Sequence, residues 1–143
     1  MPKTMILNFF FFTILFFPLL GKTGMIKINI NNITEQEGLI HIALYDSPEF
    51  FPQNKGKMLG LKEETKKIFM NGIIIRNLVE SEYAVAVYHD SNANNKFDKF
   101  LSLPKEKYGF SNNARVFLGP PDFEEAAFFV GENDFIEINI NLR

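Results

Sequence analysis

The chain has no cysteine, no tryptophan and only 2 histidines among its 143 residues. Without cysteine there is no disulfide, no thiolate metal site and no thiol nucleophile. An exported domain of this kind must draw its stability from its core or from a bound ion. A basic excess is also missing. With 15 Lys plus Arg against 17 Asp plus Glu, the net charge is −2, which argues against nucleic acid and against anionic membrane surfaces as partners. No matched nucleophile, base and orienting group can be assembled, so the chain reads as a protein that is not an enzyme.

What is abundant is phenylalanine, with 17 residues in a chain that is 46% hydrophobic and 22% charged. That composition is ordinary for a globular protein, and the length suits one domain with its own core. Part of the Phe count lies in the opening stretch MPKTMILNFFFFTILFFPLLGKTG. Lys3 supplies a positive start, Ile6 to Leu20 an apolar run, and Pro18, Gly21 and Gly24 a helix-ending, small-residue exit. This is the layout of a signal peptide, although no A-x-A cleavage pattern follows. The run is shorter than the about 20 residues of a membrane span and contains a proline. No Cys follows it, which excludes a lipoprotein anchor. The reading is therefore a signal peptide over 1–21 and a single domain over 22–143. The mature protein would be periplasmic or extracellular and have no membrane span after cleavage. Loss of Lys3 would leave it one unit more acidic.

The rest of the chain alternates with a period of two, the mark of strands with one buried face. Ile26, Ile28 and Ile30 alternate with Lys27, Asn29 and Asn31, and Ile40, Ile42 and Leu44 with His41, Ala43 and Tyr45. The polar turn TEQEG between these two runs suggests a hairpin. Pro48, Pro52 and Gly56 mark a loop whose Phe50 and Phe51 dip into the edge of the core. Lys62 to Lys67 is a charged stretch with little period that leads into a strand ending at Met70, Asn71-Gly72 reads as a turn, and Ile73 to Leu78 as a further strand. Tyr83 to His89 is the clearest strand, with Tyr83, Val85, Val87 and His89 on one face. Ala84, Ala86 and Tyr88 share the other, and the small Ala pair implies close packing over it. Asp90 to Pro121 shows no period and is too long for a bare connection, so it should be an ordered excursion. Asp122 is a good N-cap for a short helical turn with Glu124 and Glu125 in its favourable first turn. Ile136, Ile138 and Ile140 close the chain with the same rhythm as the first strand, and the shared pattern suggests that the two pair in one sheet. The expected fold is mostly β: an antiparallel β-sandwich of about seven strands, with one long ordered loop and a short helical turn.

The motifs IALYDS (Ile42–Ser47), YAVAVYHDSNANNKFD (Tyr83–Asp98) and LPKEKYGFSNNARVFLGPPDFEEAAF (Leu103–Phe128) carry a resemblance. Over about Met25 to Arg143 the chain resembles a bacterial family of small exported proteins known only as domain of unknown function 2141. The resemblance implies an exported, mostly β domain similar to transthyretin-like or carboxypeptidase-regulatory-like sandwiches, and it implies no enzyme. Two departures stand out. Glu80-Ser81-Glu82-Tyr83 replaces a P-G-x-Y turn, and Asn94-Asn95 stands where the family has N-G.

Two sites suggest themselves. Asp90, Asn92, Asn94 and Asp98 fall at positions 1, 3, 5 and 9 of a calcium loop, with the Lys96 carbonyl at 7, and alternate residues of such a loop point at one centre. Position 6 is Asn95 rather than Gly, and position 12 is Leu101, so a further carboxylate from Asp46, Asp122, Glu124 or Glu125 would be needed. Any affinity would be weak, on the order of 10⁻⁴–10⁻³ M. The competing reading is a set of Asx-turns, in which Asp and Asn bond their own backbone. Tyr108, Phe110, Asn112, Asn113 and Arg115 could line a groove for a protein, peptide or glycan, or could satisfy backbone groups of the long loop. The functional expectation is a non-enzymatic exported domain that binds or scaffolds through its long loop, with calcium as its candidate ion. Alternatives are an ion-free interaction module of the cell envelope and a hydrolase using His89 and Asp90.

Overall fold

The computed structural model describes residues 21–143; the signal-peptide reading, Gly21 apart, lies outside the described residues. Among these, ten strands and two short helices follow one another. They are β1 (Gly24–Asn31), β2 (Leu39–Tyr45), β3 (Leu59–Glu64), α1 (Thr65–Asn71), β4 (Ile73–Leu78), β5 (Ser81–Asp90), β6 (Lys99–Phe100), β7 (Leu103–Pro104), β8 (Tyr108–Phe110), α2 (Phe123–Ala126), β9 (Phe128–Val130) and β10 (Phe135–Asn141). They form a sandwich-like pair of sheets. One has the order β10-β1-β4, the other β3-β2-β5-β8 with β9 also on β5, and β6 and β7 form a separate small ribbon.

The alternating isoleucines explain the layering. Ile26, Ile28 and Ile30 of β1 meet Ile40, Ile42 and Leu44 of β2 and Tyr83, Val85 and Val87 of β5 in one core between the sheets. Each fully buried side chain of this type contributes roughly 1.5–3 kcal/mol of apolar burial. On the outward face of the first sheet, the intervening polar residues pair in register. Lys27 Nζ lies 3.1 Å from Glu137 Oε1, and Asn31 Nδ2 donates to Asn141 Oδ1 at 3.0 Å.

Two expectations need correction, and a third holds with a register of its own. β1 and β2 do not form a hairpin, because Asn32 to Gly38 carries the chain from one sheet to the other. The last strand does pair with the first, but in parallel register, from Met25 with Phe135 to Asn31 with Asn141. The charged stretch from Lys62 and the strand expected to end at Met70 are instead the end of β3 and helix α1, which buries only Thr65 and Ile68. Gly72, at φ 63°, ends that helix with its N–H on the Ile68 carbonyl at 2.8 Å.

The outer face of the second sheet is half covered. Tyr45, Ala84, Phe110, Ala114, Phe123 and Ala126 form a second, smaller core, with Phe51 packed against it. Ala84 is one half of the small pair whose close packing the sequence implied. Phe50, by contrast, stays exposed beneath Lys55 Nζ. The Asp122 capping box at α2 forms as expected. The sheets are also tied at a corner. Tyr108 and Arg143 exchange backbone hydrogen bonds, and a Cβ on Gly109 would lie 2.7 Å from Ile140 Cγ2.

Candidate functional site

Strand register builds the site. On the outer face of the second sheet, Gly60, Ala43, Ala86 and Phe110 stand side by side on β3, β2, β5 and β8. The next row along the strands is Lys62, His41, Tyr88 and Tyr108. The first row has nothing larger than a methyl group across three strands, so it is a trough. The second row is a ridge, stiffened by His41 stacked on Tyr88 with ring centroids 4.5 Å apart. The long excursion after β5 does not fill the trough but stands over it. Phe97, Leu103, Pro104, Val116 and Leu118 wall a cleft of about 1160 Å³ whose floor is the trough. A site for a drug-sized ligand is typically about 300–1,000 Å³, apolar, with a few placed polar groups. A second, smaller pocket, of about 150 Å³, lies between His89, Ser91 and Glu106.

The charges of the cleft are of one sign. Lys57, Lys62, Lys96 and Lys99 line it, and neither Asp nor Glu does. Among the described residues none of these lysines is paired with a carboxylate. Lys57 Nζ reaches Asn54 Oδ1 at 2.6 Å and Lys62 Nζ reaches Asn95 Oδ1 at 2.7 Å. Burial lowers the pKa of His41, outweighing its contact with Asp90. Burial, reinforced by nearby carboxylates, pushes Tyr88 up to about 12, so its hydroxyl stays protonated.

The Asp/Asn loop forms the end wall. Asp90 is fully buried. Its Oδ1 accepts the Asn94 N–H at 3.0 Å, and its Oδ2 accepts the Asn95 N–H at 2.7 Å and His41 Nε2 at 3.1 Å. Asn92 Oδ1 takes the Asn94 N–H and Asn94 Oδ1 the Lys96 N–H, while both amide nitrogens donate to Asp98 Oδ2 at 2.9 Å. The residues spaced for calcium are thus drawn together, but the Asp90, Asn92 and Asn94 oxygens face backbone N–H groups, the geometry of Asx-turns. No group of three or more His, Cys, Asp or Glu side chains among the described residues is arranged for a metal. Lys96 adds a cleft-lining side chain. Asn95 takes φ 62°, the left-handed backbone that Asn tolerates next best after Gly.

Of the five expected groove residues, Tyr108 and Phe110 line the cleft and the other three do not. Asn112 Nδ2 donates to the Ala127 carbonyl at 2.7 Å, and Asn113 Oδ1 accepts the Asn141 N–H at 2.8 Å. Both therefore hold the long loop in place. Arg115 is exposed. His89 and Asp90, adjacent on a strand, face opposite sides. His89 Nε2 meets the Glu37 carbonyl at 2.8 Å, and the histidine that reaches Asp90 is His41. No Ser or Thr hydroxyl among the described residues bonds either histidine. Sequence reasoning missed Gly60, Ala43, Ala86, Lys57 and Lys62. The signal for the trough was present in the alanines facing outward at 43 and 86.

A family model described as "Uncharacterized protein conserved in bacteria (DUF2141)" matches residues 28–137, and the chain belongs to that family. Comparison with curated proteins finds no match, and comparison with solved structures finds none.

Proposed function

For this member of an uncharacterised bacterial family, we propose a non-enzymatic binding role, in which a small apolar or aromatic ligand is held between the outer face of the second sheet and the long loop. The single observation that carries this reading is the trough of Gly60, Ala43 and Ala86, left open beneath an ordered wall of aromatic and aliphatic side chains. A central sheet face normally gains by being covered, and an apolar floor this wide gains most from an apolar occupant. In this reading the Asp/Asn loop is a wall closed by its own hydrogen bonds, and the His41–Asp90 pair fixes that wall to the floor. The two-layer β arrangement supports kinship with transthyretin-like sandwiches. The charged start and short apolar run of residues 1–21 support export, which an intact Met1 on the purified native protein would refute.

The test uses the neutral fluorophore N-phenyl-1-naphthylamine. It should bind saturably at one site per chain, and Ala86→Leu, which fills the trough from its floor, should abolish binding while the variant keeps a cooperative melting transition. Absence of saturable binding, or equal binding by a folded Ala86→Leu protein, would overturn the reading.

A further inference from the structure

Resting on that reading, the geometry points to a particular class of occupant: an amphiphile with an anionic head, held by Lys57 and Lys62, and an apolar body lying along Ala43 and Ala86 towards Phe110. Three independent features define this polarity.

The first is charge. Four lysines line the cleft with no carboxylate among the lining residues, in a chain whose net charge is −2. The cations are concentrated locally against the overall balance. A cleft lined by one sign of charge with low-dielectric walls focuses its field on an incoming counter-charge.

The second is direction. The trough has two unlike ends. At the β3 end a Cβ on Gly60 would lie 2.9 Å from Lys57 Nζ and 3.0 Å from its Cε, so this lysine lies along the floor with its ammonium at the edge strand. Lys62 is two residues further on the same strand and faces the same way. At the other end stand Phe110 and, packed beside it, Phe51 and Tyr108. A ligand lying across the strands therefore meets Lys57 and Lys62 at one end and the faces of Phe110 and Phe51 at the other, while Lys99, 5.5 Å from the Phe97 ring, stands on the overlying loop. Such an axis fits a head and a tail, whereas a neutral glycan would need alternating donors and acceptors along its length. Two of the amides that line the cleft, Asn54 and Asn95, are already engaged by Lys57 and Lys62.

The third is the mouth. Leu103 is 69% exposed and Leu118 is 97% exposed, yet both line the cleft. Their neighbours Phe100 and Phe117 are exposed as well. Large apolar side chains left in water beside an apolar cleft are what a bound acyl chain or aromatic body would cover.

The experiment compares laurate with 1-dodecanol, equal in chain length and different in charge, as competitors of the bound naphthylamine. Laurate should displace the fluorophore at least about tenfold more effectively, a difference of about 1.4 kcal/mol, and raised salt should weaken laurate alone. The Lys57→Gln/Lys62→Gln variant should bring laurate down to the level of dodecanol, each competitor being read against that variant's own fluorophore affinity. Both side chains are exposed, so the fold should survive, and a cooperative melting transition like that of the wild type confirms it. Equal displacement by laurate and dodecanol in the wild type, or an undiminished preference for laurate in the double variant, overturns the inference while the binding role stands. If the fluorophore itself does not bind the wild type, the binding role falls first.

Discussion

Asp90 shows how a residue spaced for a cation can be committed elsewhere. Its carboxylate is out of water and takes two backbone N–H groups and one imidazole. Hydrogen bonds to a charged acceptor contribute about 1.5–3 kcal/mol each, and removing the acceptor leaves buried donors unpaired. Asp90→Ala should therefore cost about 2–4 kcal/mol by urea denaturation, equally in millimolar calcium and in chelator. Stability of the wild type that rises with calcium and falls with chelator would restore the ion-cage reading of the loop. His41 gives a pH test. Its folded pKa lies below 6.5 because burial disfavours the charged ring, and Lys62 and Lys57 add to that while Asp90 opposes it. Below pH 6.5 the unfolded chain then binds more protons than the folded one, so this group's contribution is present at neutral pH and is lost as pH falls. Glu106 works the other way, since burial and its neighbours Asp90 and Asp98 raise its pKa, making its contribution fall as pH rises above 4.5. The His41 term is therefore read as a difference. Between pH 7.5 and 5.5, His41→Gln should lose less melting temperature than the wild type. Parallel losses in the two proteins would show that His41 does not titrate between folded and unfolded states. The spacing of the loop was legible in the sequence, but which atoms its oxygens face was not, because an Asx oxygen accepts an N–H as readily as it ligates a cation. That Asp90 pairs with His41 depends on the register of β2 against β5, which no local pattern encodes.

At the level of elements, β5 is the strand on which the others depend, and its far edge is assembled from three pieces. β9 pairs with residues 81–83, β8 with residues 86–88, and the gap between them is closed by a side chain. Ser111 Oγ accepts the Val85 N–H at 2.8 Å and donates to the Ala126 carbonyl at 2.6 Å. The serine is fully buried, so water cannot replace it. Ser111→Ala should cost about 1–3 kcal/mol with an unchanged denaturant slope, and stability equal to the wild type in urea titration would show that Val85 finds another acceptor. The long strands β1, β2, β5 and β10 were legible because each carries at least three alternating residues, enough to set a face, and β4 because Ile73 to Ile75 is a β-branched run. Of the short strands, β9 was legible in the apolar run Phe128 to Val130, whereas β6, β7 and β8 were not, since two or three residues set no face. Helix α1 escaped because TKKIFMN offers Ile68 as its one deeply buried apolar residue, too little for a helical period. The supposed hairpin failed for a different reason: TEQEG is polar and turn-forming whether the chain doubles back or crosses to the facing sheet.

Across the whole molecule, the two ends of the described chain are joined through β1 and β10, and the residues after β10 reach the opposite sheet. Ile140 and Leu142 enter the core between the sheets, and Arg143 exchanges backbone hydrogen bonds with Tyr108 of β8, whose ring stands on the ridge of the cleft. The closing strand thus stabilises the core and holds β8 under the cleft. A large-to-small change in such a core costs the lost transfer energy plus the cavity left behind, about 2–5 kcal/mol for Ile→Ala, against a total stability of about 5–15 kcal/mol. Ile140→Ala should therefore lower stability by about 2–4 kcal/mol. Asn139→Ala, one residue earlier on the opposite face, gives up an exposed hydrogen bond to Asn29 and should cost less than about 1 kcal/mol. The two measurements, made by urea denaturation, test the inward phase of β10 directly. Equal costs would mean that β10 lies on the sheet without entering the core. Because β8 rests on the same corner, Ile140→Ala should also weaken naphthylamine binding relative to Asn139→Ala. Unaltered affinity in Ile140→Ala would show that the cleft floor is set by β2 and β5 alone.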